Sequence, residues 1–216
     1  MDEEHKIREI NQWLLDRYGE PEEPADIEPL ELVIRVILSQ NTNDINRDKA
    51  FQNLRDRYGL DYSEIENADL DELTDTIRVA GLGPTKAERI QGALEIIRKE
   101  SGDYALEFLE DMSVEEAKDW LTEIPGIGPK SAAVILCFGF GKPVFPVDTH
   151  VHRLSKRYGL VPENVSREKT HDIMEEKVPD DIKYEFHRNL IEHGREECTA
   201  RKENCDCTLC ERYGDE

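Results

Sequence analysis

Three observations predict a nearly all-α protein. Apolar residues recur at helical spacing along most of the chain; alternating, strand-like stretches are scarce; and Glu, Leu, Ile, Arg and Ala are abundant while aromatics reach only 7%. At 216 residues the chain can bury a substantial core and hold one large or two small domains. No apolar run approaches the roughly 20 residues that span a bilayer, and the start, MDEEHKIREI, reads as neither a signal nor a transit peptide. The expectation is a soluble, cytoplasmic protein without a membrane partner.

The elements follow in order. Residues 4–18 place Ile7, Ile10, Leu14 and Tyr18 at helical spacing, ended by Gly19 and Pro21. GEPEEPADIEP, with three prolines and five acids, reads as a polar linker. Pro29 opens PLELVIRVILSQ, whose Leu30, Val33, Ile34 and Ile37 form the stripe of a buried helix. NDINRDKAFQNLRDRYG continues as a helix stopped by Gly59. SEIE at 63–66 and SVEE at 113–116 both fit the capping box, a hydroxyl at N-cap and a carboxylate three residues on. Further helices are predicted over 70–79, 84–99, 114–123, 130–140, 149–158, 167–177 and 181–194. The short polar turns between them favour compact helix packing.

The formal net charge is -21. Excess acid argues against nucleic-acid binding, because phosphate contacts need Lys and Arg. The charge is uneven, however. The window from Gly126 to Tyr158 carries Lys130, Lys142, Arg153, Lys156 and Arg157 against one acid, Asp148, so the rest of the chain holds a net -25. The surplus acid suits a solvated surface in molar salt, where charges are screened within about 3 Å. It predicts a salt-adapted cell.

AGLGPTKAERI (80–90) and PGIGPKSAAVI (125–135) share a Gly-apolar-Gly-Pro pattern with a lysine one or two residues on, ahead of a helix. Two such turns could grip two points on one polyanion; a single copy is ordinary helix punctuation. In the second copy, Gly126 and Gly128 can adopt positive φ and let backbone N–H groups approach a ligand closely. Pro129 fits the first position of a helix whose early N–H groups lack internal partners. Donors backed by the positive end of a helix dipole bind phosphate. With a helix ending at Ile124, the unit is a helix-hairpin-helix, which holds DNA by its backbone without reading sequence.

By itself Lys130 reads as a phosphate-contacting cation, and Asp148, in FPVDTHVH, as an N-capping aspartate. Spacing joins the two. Residues 131–140 as helix run about 15 Å out, and residues 141–147, extended, return up to about 23 Å. The chain can therefore bring Asp148 beside Lys130. A cap and a catalytic role are compatible, because a helix N-terminus favours the ionised carboxylate.

On these residues, IPGIGPKSA followed by FPVDTHVHR resembles the hairpin, Gly/Pro-rich loop and aspartate signature of the endonuclease III superfamily of DNA glycosylases. ILSQNTND (37–44) resembles that family's buried loop, which fills the space left by an extruded base. VAGLGPTKAERI resembles the loop supplying an intercalating apolar residue, here Leu82. A cysteine cluster closes the chain, as in that family, and the likeness covers nearly the whole length in the right order. It implies an all-α helix-hairpin-helix DNA glycosylase fold of two helical domains with a cleft between them. The first, over 24–140, is a helical barrel with the hairpin at about 114–140; the second comprises 1–23 plus 141–216.

Members with a lysine at the position of Lys130 are bifunctional, and the resemblance implies that chemistry here. The damaged nucleotide is flipped out, at a cost of a few kcal/mol that damage lowers. The Lys130 amine attacks the sugar C1′, displaces the base and leaves a Schiff base, so that β-elimination can break the strand on the 3′ side. A lysine at a helix N-terminus in a partly dry pocket is disfavoured as a cation, which helps free the amine. Asp148 stabilises positive charge on the sugar and assists deprotonation of the nucleophile. Gln40 and Asn41 hydrogen-bond the orphaned base, Asn41 standing where the family often has glutamine. Gly126, Gly128 and Lys130 contact the backbone of damaged double-stranded DNA. The implied function is removal of oxidised pyrimidines in base-excision repair by a nucleoid-associated monomer. A same-fold glycosylase for another lesion and a non-catalytic module that binds DNA structure stay open as alternatives.

Cys198, Cys205, Cys207 and Cys210 fall within thirteen residues, CTARKENCDCTLC, which argues for metal over disulfides. Soft thiolates suit an iron–sulfur cluster or zinc. The family pattern around a [4Fe–4S] cluster is C-x6-C-x2-C-x5-C; this chain has C-x6-C-x-C-x2-C, with the first gap kept and the others shortened. The cluster is the first expectation and zinc the second. Arg195, Arg201 and Lys202 are candidates for DNA contact beside it. Cys137, in an apolar helical run, reads as a core thiol. His150 and His152 flank the presumed site, as phosphate contacts or caps, and His187 and His193, on a helix near the cysteines, read as packing residues or as supports behind the metal ligands.

Overall fold

The apolar spacing resolves into helices and turns. The structure is a computed structural model that describes residues 2–22, 27–201, 205 and 207–214. Among these residues every regular element is helical, and no helix is long and apolar enough to cross a membrane. The chain divides into two compact units, Asp26–Phe140 and Met1–Ala25 with Gly141–Glu216.

The N-terminal helix α1 (Glu3–Tyr18) belongs to the second unit and stops at Gly19, φ 82°. The first unit is built on α2 (Pro29–Ser39), which buries Leu30, Leu32, Val33, Ile34, Val36, Ile37 and Leu38. A helix apolar nearly all round must be covered on several sides. It packs against α3 (Asp44–Tyr58), α6 (Gly83–Ser101) and α8 (Pro129–Phe140). Around these lie α4 (Tyr62–Asn67), α5 (Leu70–Ile77) and α7 (Val114–Glu123). Gly59 ends α3 in the left-handed conformation, as glycine does at a helix C-terminus.

The second unit adds α9 (Thr149–Arg157), α10 (Arg167–Lys177), α11 (Lys183–Glu196) and α12 (Thr208–Tyr213). Helix α11 packs on α1 and α9, and α9 on α10. Ile7, Ile10, Leu14, Val151, Leu154, Tyr158, Phe186 and Leu190 form its core, and the cysteines lie against the same cluster.

The capping box expected at Ser113 is present, with both the Ser113 and the Glu116 side chains closing on backbone N–H groups. The one expected at Ser63 is not. Asp61 is the N-cap of α4, its carboxylate accepting from Glu64 N at 3.0 Å, so the helix begins before Ser63. Glu66 instead accepts from the Arg98 guanidinium and the Tyr104 hydroxyl. The helix expected over 70–79 ends at Ile77, and a 3-10 turn, Arg78–Ala80, carries the chain to Gly81. Residues 23–26, on which the expected boundary at 24 falls, lie outside the described residues.

Candidate nucleic-acid interface and metal centre

In the first unit the hairpin turn joins α7 to α8. Ile124 and Ile127 are buried and seat the turn on the core. Between them Gly126 has φ 89°, a left-handed geometry that side chains other than glycine resist. Gly128 shows no positive φ, but a Cβ there would meet nothing within 4 Å, so this edge of the turn is open. The Gly128 carbonyl accepts from Ala132 N at 2.9 Å, which makes Pro129 the first residue of α8 and Lys130 the second. The N–H groups ahead of Ala132 have no intrahelical partner and carry the positive end of the helix dipole. Lys130 itself is exposed. The partly dry pocket expected around it is not supplied by its own unit.

Two further turns of this unit matter. The loop after α2 carries Gln40, half-buried, and Asn41, exposed with φ 52°. The turn before α6 carries Leu82, 55% exposed with φ 51°. Left-handed backbone costs a non-glycine residue about 1 kcal/mol or more. Among the described residues only Asn41, Leu60 and Leu82 bear that strain, and two of the three belong to the loops singled out for DNA contact.

Side chains from α6 reach all three turns. Lys86 is buried, and its Nζ donates to Leu38 O and Ala80 O at 2.8 Å each. Burial, with Arg89 nearby, holds its pKa below the ordinary lysine range. The lysine of the first glycine turn is therefore not a phosphate contact, contrary to what the shared pattern suggested. Arg89 donates to Gln40 Oε1 at 2.5 Å, and Gln40 Nε2 donates to Gly126 O at 2.7 Å. The Gln40 amide is thus engaged within the unit, while Asn41 is exposed. Arg89 was not singled out from the sequence. A signal existed in its neighbour: Lys86 falls on the apolar stripe Gly83, Ala87, Ile90, Leu94, where a cation is out of place.

In the second unit Asp148 caps α9, one carboxylate oxygen accepting from Val151 N at 2.8 Å. A carboxylate has acceptor capacity beyond one such bond. His152 shares a 2.8 Å hydrogen bond with Thr170, and His150 packs against Gly194 of α11, where a Cβ would fall 2.9 Å from its ring. Further along α9, Arg153 donates to Gly194 O and Cys198 O at 3.0 and 2.7 Å. Arg157 donates to Cys198 Sγ and Thr199 O, 3.1 Å each. One short helix thus carries Asp148 at its start and is bolted at its end to the cysteine loop.

The ligand atoms of Cys198, Cys205, Cys207 and Cys210 lie within 4.8 Å of one another. Cys198 Sγ and Cys210 Sγ are 3.6 Å apart. Burial pushes the Cys207 thiol up to about 11 and raises that of Cys210 further. Four thiolates so close repel unless a cation sits among them, and the donor set therefore fits a thiophilic metal. His193 is fully buried; desolvation holds its pKa down to about 4, so it is neutral. It shares hydrogen bonds with Tyr18 at 2.8 Å and with Cys207 Sγ at 3.6 Å. Arg195 and Arg201 are exposed, and Lys202 lies outside the described residues. Cys137 is buried in α8.

The chain as a whole is similar to known proteins. The family model of HhH-GPD superfamily base excision DNA repair proteins matches residues 34–180. An Arabidopsis thaliana protein assigned by name as a DNA glycosylase is 35% identical over 81% of this chain, and the match spans 59% of that longer protein. Endonuclease III of Thermotoga maritima is 32% identical over 96% of this chain and 93% of its own length. Two solved structures, each 28% identical, align along nearly all of the chain. A non-covalent endonuclease III–DNA complex gives a TM-score of 0.81 with 100% and 97% of the two chains covered. A trapped endonuclease III–DNA covalent intermediate gives 0.78 with 97% and 94% covered. The chain belongs to the HhH-GPD superfamily of base excision DNA repair proteins and is an enzyme of the DNA glycosylase/AP lyase class.

Proposed function

We propose that the protein removes oxidised pyrimidines from damaged double-stranded DNA and then cuts the strand, with Lys130 as nucleophile. The observation that carries this reading is the hairpin turn: left-handed Gly126, an open edge at Gly128, then an exposed lysine at the second position of α8. The turn's free N–H groups suit a backbone phosphate, and the lysine follows directly. The Lys130 amine forms a bond to C1′ as the bond from C1′ to the base breaks, the electron pair leaving with the base. The nitrogen loses a proton, and its lone pair forms the C=N bond as the C1′–O4′ bond breaks; O4′ takes up a proton and the sugar ring opens to the imine. Removal of a 2′ proton then expels the 3′ oxygen with its electron pair and breaks the strand.

Asp148 stabilises the cationic sugar and takes part in freeing the amine, while its bond to Val151 N fixes the carboxylate on α9. Bound DNA supplies the dryness that exposed Lys130 lacks. Asn41 faces the base left opposite the gap, Gln40 braces the hairpin, and Leu82 enters the stack.

Borohydride trapping tests the enzyme against the alternative of a non-catalytic DNA-binding module. Wild-type protein gives a covalent adduct with DNA bearing an oxidised pyrimidine, Lys130→Ala gives none, and Asp148→Asn excises about 10²- to 10⁴-fold more slowly while binding is retained. A wild type that forms no adduct supports the binding module, and a panel of single lesions separates oxidised pyrimidines from other damage.

Cys198, Cys205, Cys207 and Cys210 hold a [4Fe–4S] cluster in this reading, as the family likeness implies. When bound, the cluster would tie Cys198, two residues past α11, to Cys205 and Cys207 ahead of α12 and to Cys210 within it. The sulfur spacing favours a second reading. One tetrahedral zinc with Zn–S near 2.3 Å sets its sulfurs roughly 3.8 Å apart, close to the 3.6 Å between Cys198 and Cys210. Anaerobically purified protein with broad visible absorbance and four irons per chain supports the cluster; colourless protein with one zinc overturns it.

A further inference from the structure

We propose that α6 sets the three DNA-facing turns of its unit in one register, with Lys86 and Arg89 as the positioning residues. The proposal rests on the functional reading above and adds what holds its parts in place. Lys86 is 1% exposed, a costly place for an ammonium group. A methionine would fill similar space without that cost. What the ammonium adds is a tie between two helix ends. Leu38 is the next-to-last residue of α2 and Ala80 the last of the 3-10 turn, so both carbonyls lie at C-terminal ends, where carbonyls lack helical partners and the dipole is negative. Asn41 follows the first tie by three residues and Leu82 follows the second by two. Both strained, exposed side chains leave from anchors held by the same nitrogen.

Arg89, one turn further along α6, extends the tie to the hairpin. Its guanidinium holds Gln40, and Gln40 holds the Gly126 carbonyl. Its aliphatic stem fills the space behind Gly126, where a Cβ would lie 2.6 Å from Arg89 Cδ. The phosphate-gripping turn, the gap-facing loop and the wedge are therefore spaced by one rigid rod. A wedge pushed into a base stack experiences a reaction force, and Lys86 and Arg89 carry that force back to the hairpin.

Extruding a base needs this spacing; an abasic nucleotide has no base to extrude. Single-turnover excision and cleavage of a preformed abasic site are measured on the full chain for wild type, Lys86→Met, Leu82→Ala and the double variant. Lys86→Met slows excision about 10- to 100-fold, a cost in the range of a displaced reactive geometry, while abasic cleavage stays within about 3-fold. The double variant is no slower than the worse single one by more than about 2-fold, because the wedge works only while it is held. Multiplying effects, or equal losses on both substrates, overturn the proposal. Arg89→Leu and Gln40→Leu form a second cycle should Lys86→Met fail to fold. Each slows excision, together they add little, and Arg89→Lys recovers part of the loss; three variants at wild-type rates overturn it. A wild type inactive on both substrates refutes the functional reading instead.

Discussion

The two glycine turns of the first unit carry nearly the same letters and use them in opposite ways. In AGLGPTK the apolar residue, Leu82, is 55% exposed and the lysine, Lys86, is buried. In PGIGPK the apolar residue, Ile127, is buried and the lysine, Lys130, is exposed. Two one-residue offsets set the lysines apart: α6 begins at the second glycine of its turn, Gly83, whereas α8 begins at the proline, Pro129, and the first turn carries one extra residue. Thr85 stands between proline and lysine in the first turn, and each added residue rotates a helical side chain by about 100°. With helix starts at Gly83 and Pro129, the first lysine is the fourth helical residue and faces the core, whereas the second is the second and faces solvent. A motif is therefore read through its phase against the helix it opens.

The comparison can be broken most severely at its apolar members. Ile127→Ala should cost about 2–5 kcal/mol as a core truncation. Leu82→Ala should stay within about 0.5 kcal/mol, as surface changes do; equal melting shifts for the two would remove the asymmetry. The lysines come next. Lys86→Met strands two buried carbonyls and should cost about 1–3 kcal/mol, read as roughly 2–4 °C in Tm per kcal/mol. Lys130→Met should leave Tm unchanged while abolishing the borohydride adduct. The smallest contrast lies in the second glycines. A Cβ at Gly83 would sit 3.0 Å from Thr74 Cγ2 and 3.2 Å from Thr74 O, so Gly83→Ala should cost about 1 kcal/mol by overpacking. Gly128→Ala has open space around it; it should keep full stability and weaken DNA binding, which titration of a labelled duplex would show.

Most of the helical frame was legible because apolar spacing and helix punctuation are local signals. Pro29, Gly59, the Ser113 capping box and the Asp148 cap all stand where local chemistry placed them. At Ser63 two caps competed, and the aspartate two residues earlier prevailed because a carboxylate both accepts the N–H and opposes the helix dipole. The closeness of the four cysteines was readable from count and spacing. What stayed hidden depends on contacts between distant segments. Nothing near Gln40 announces Arg89 or Gly126 as its partners, 49 and 86 residues away. The burial of Lys86 was within reach, since it sits on an apolar stripe, but its two carbonyl partners come from other elements.

Gly126 is demanded from two sides at once. Its backbone twist excludes ordinary side chains, and the arginine stem behind it occupies the volume a methyl group would take. Shortening the arginine would clear the room yet leave the twist, and untwisting the turn would free the backbone yet leave the collision. No single exchange elsewhere relaxes both demands, so this position resists compensated change more than Lys130, the proposed nucleophile four residues later.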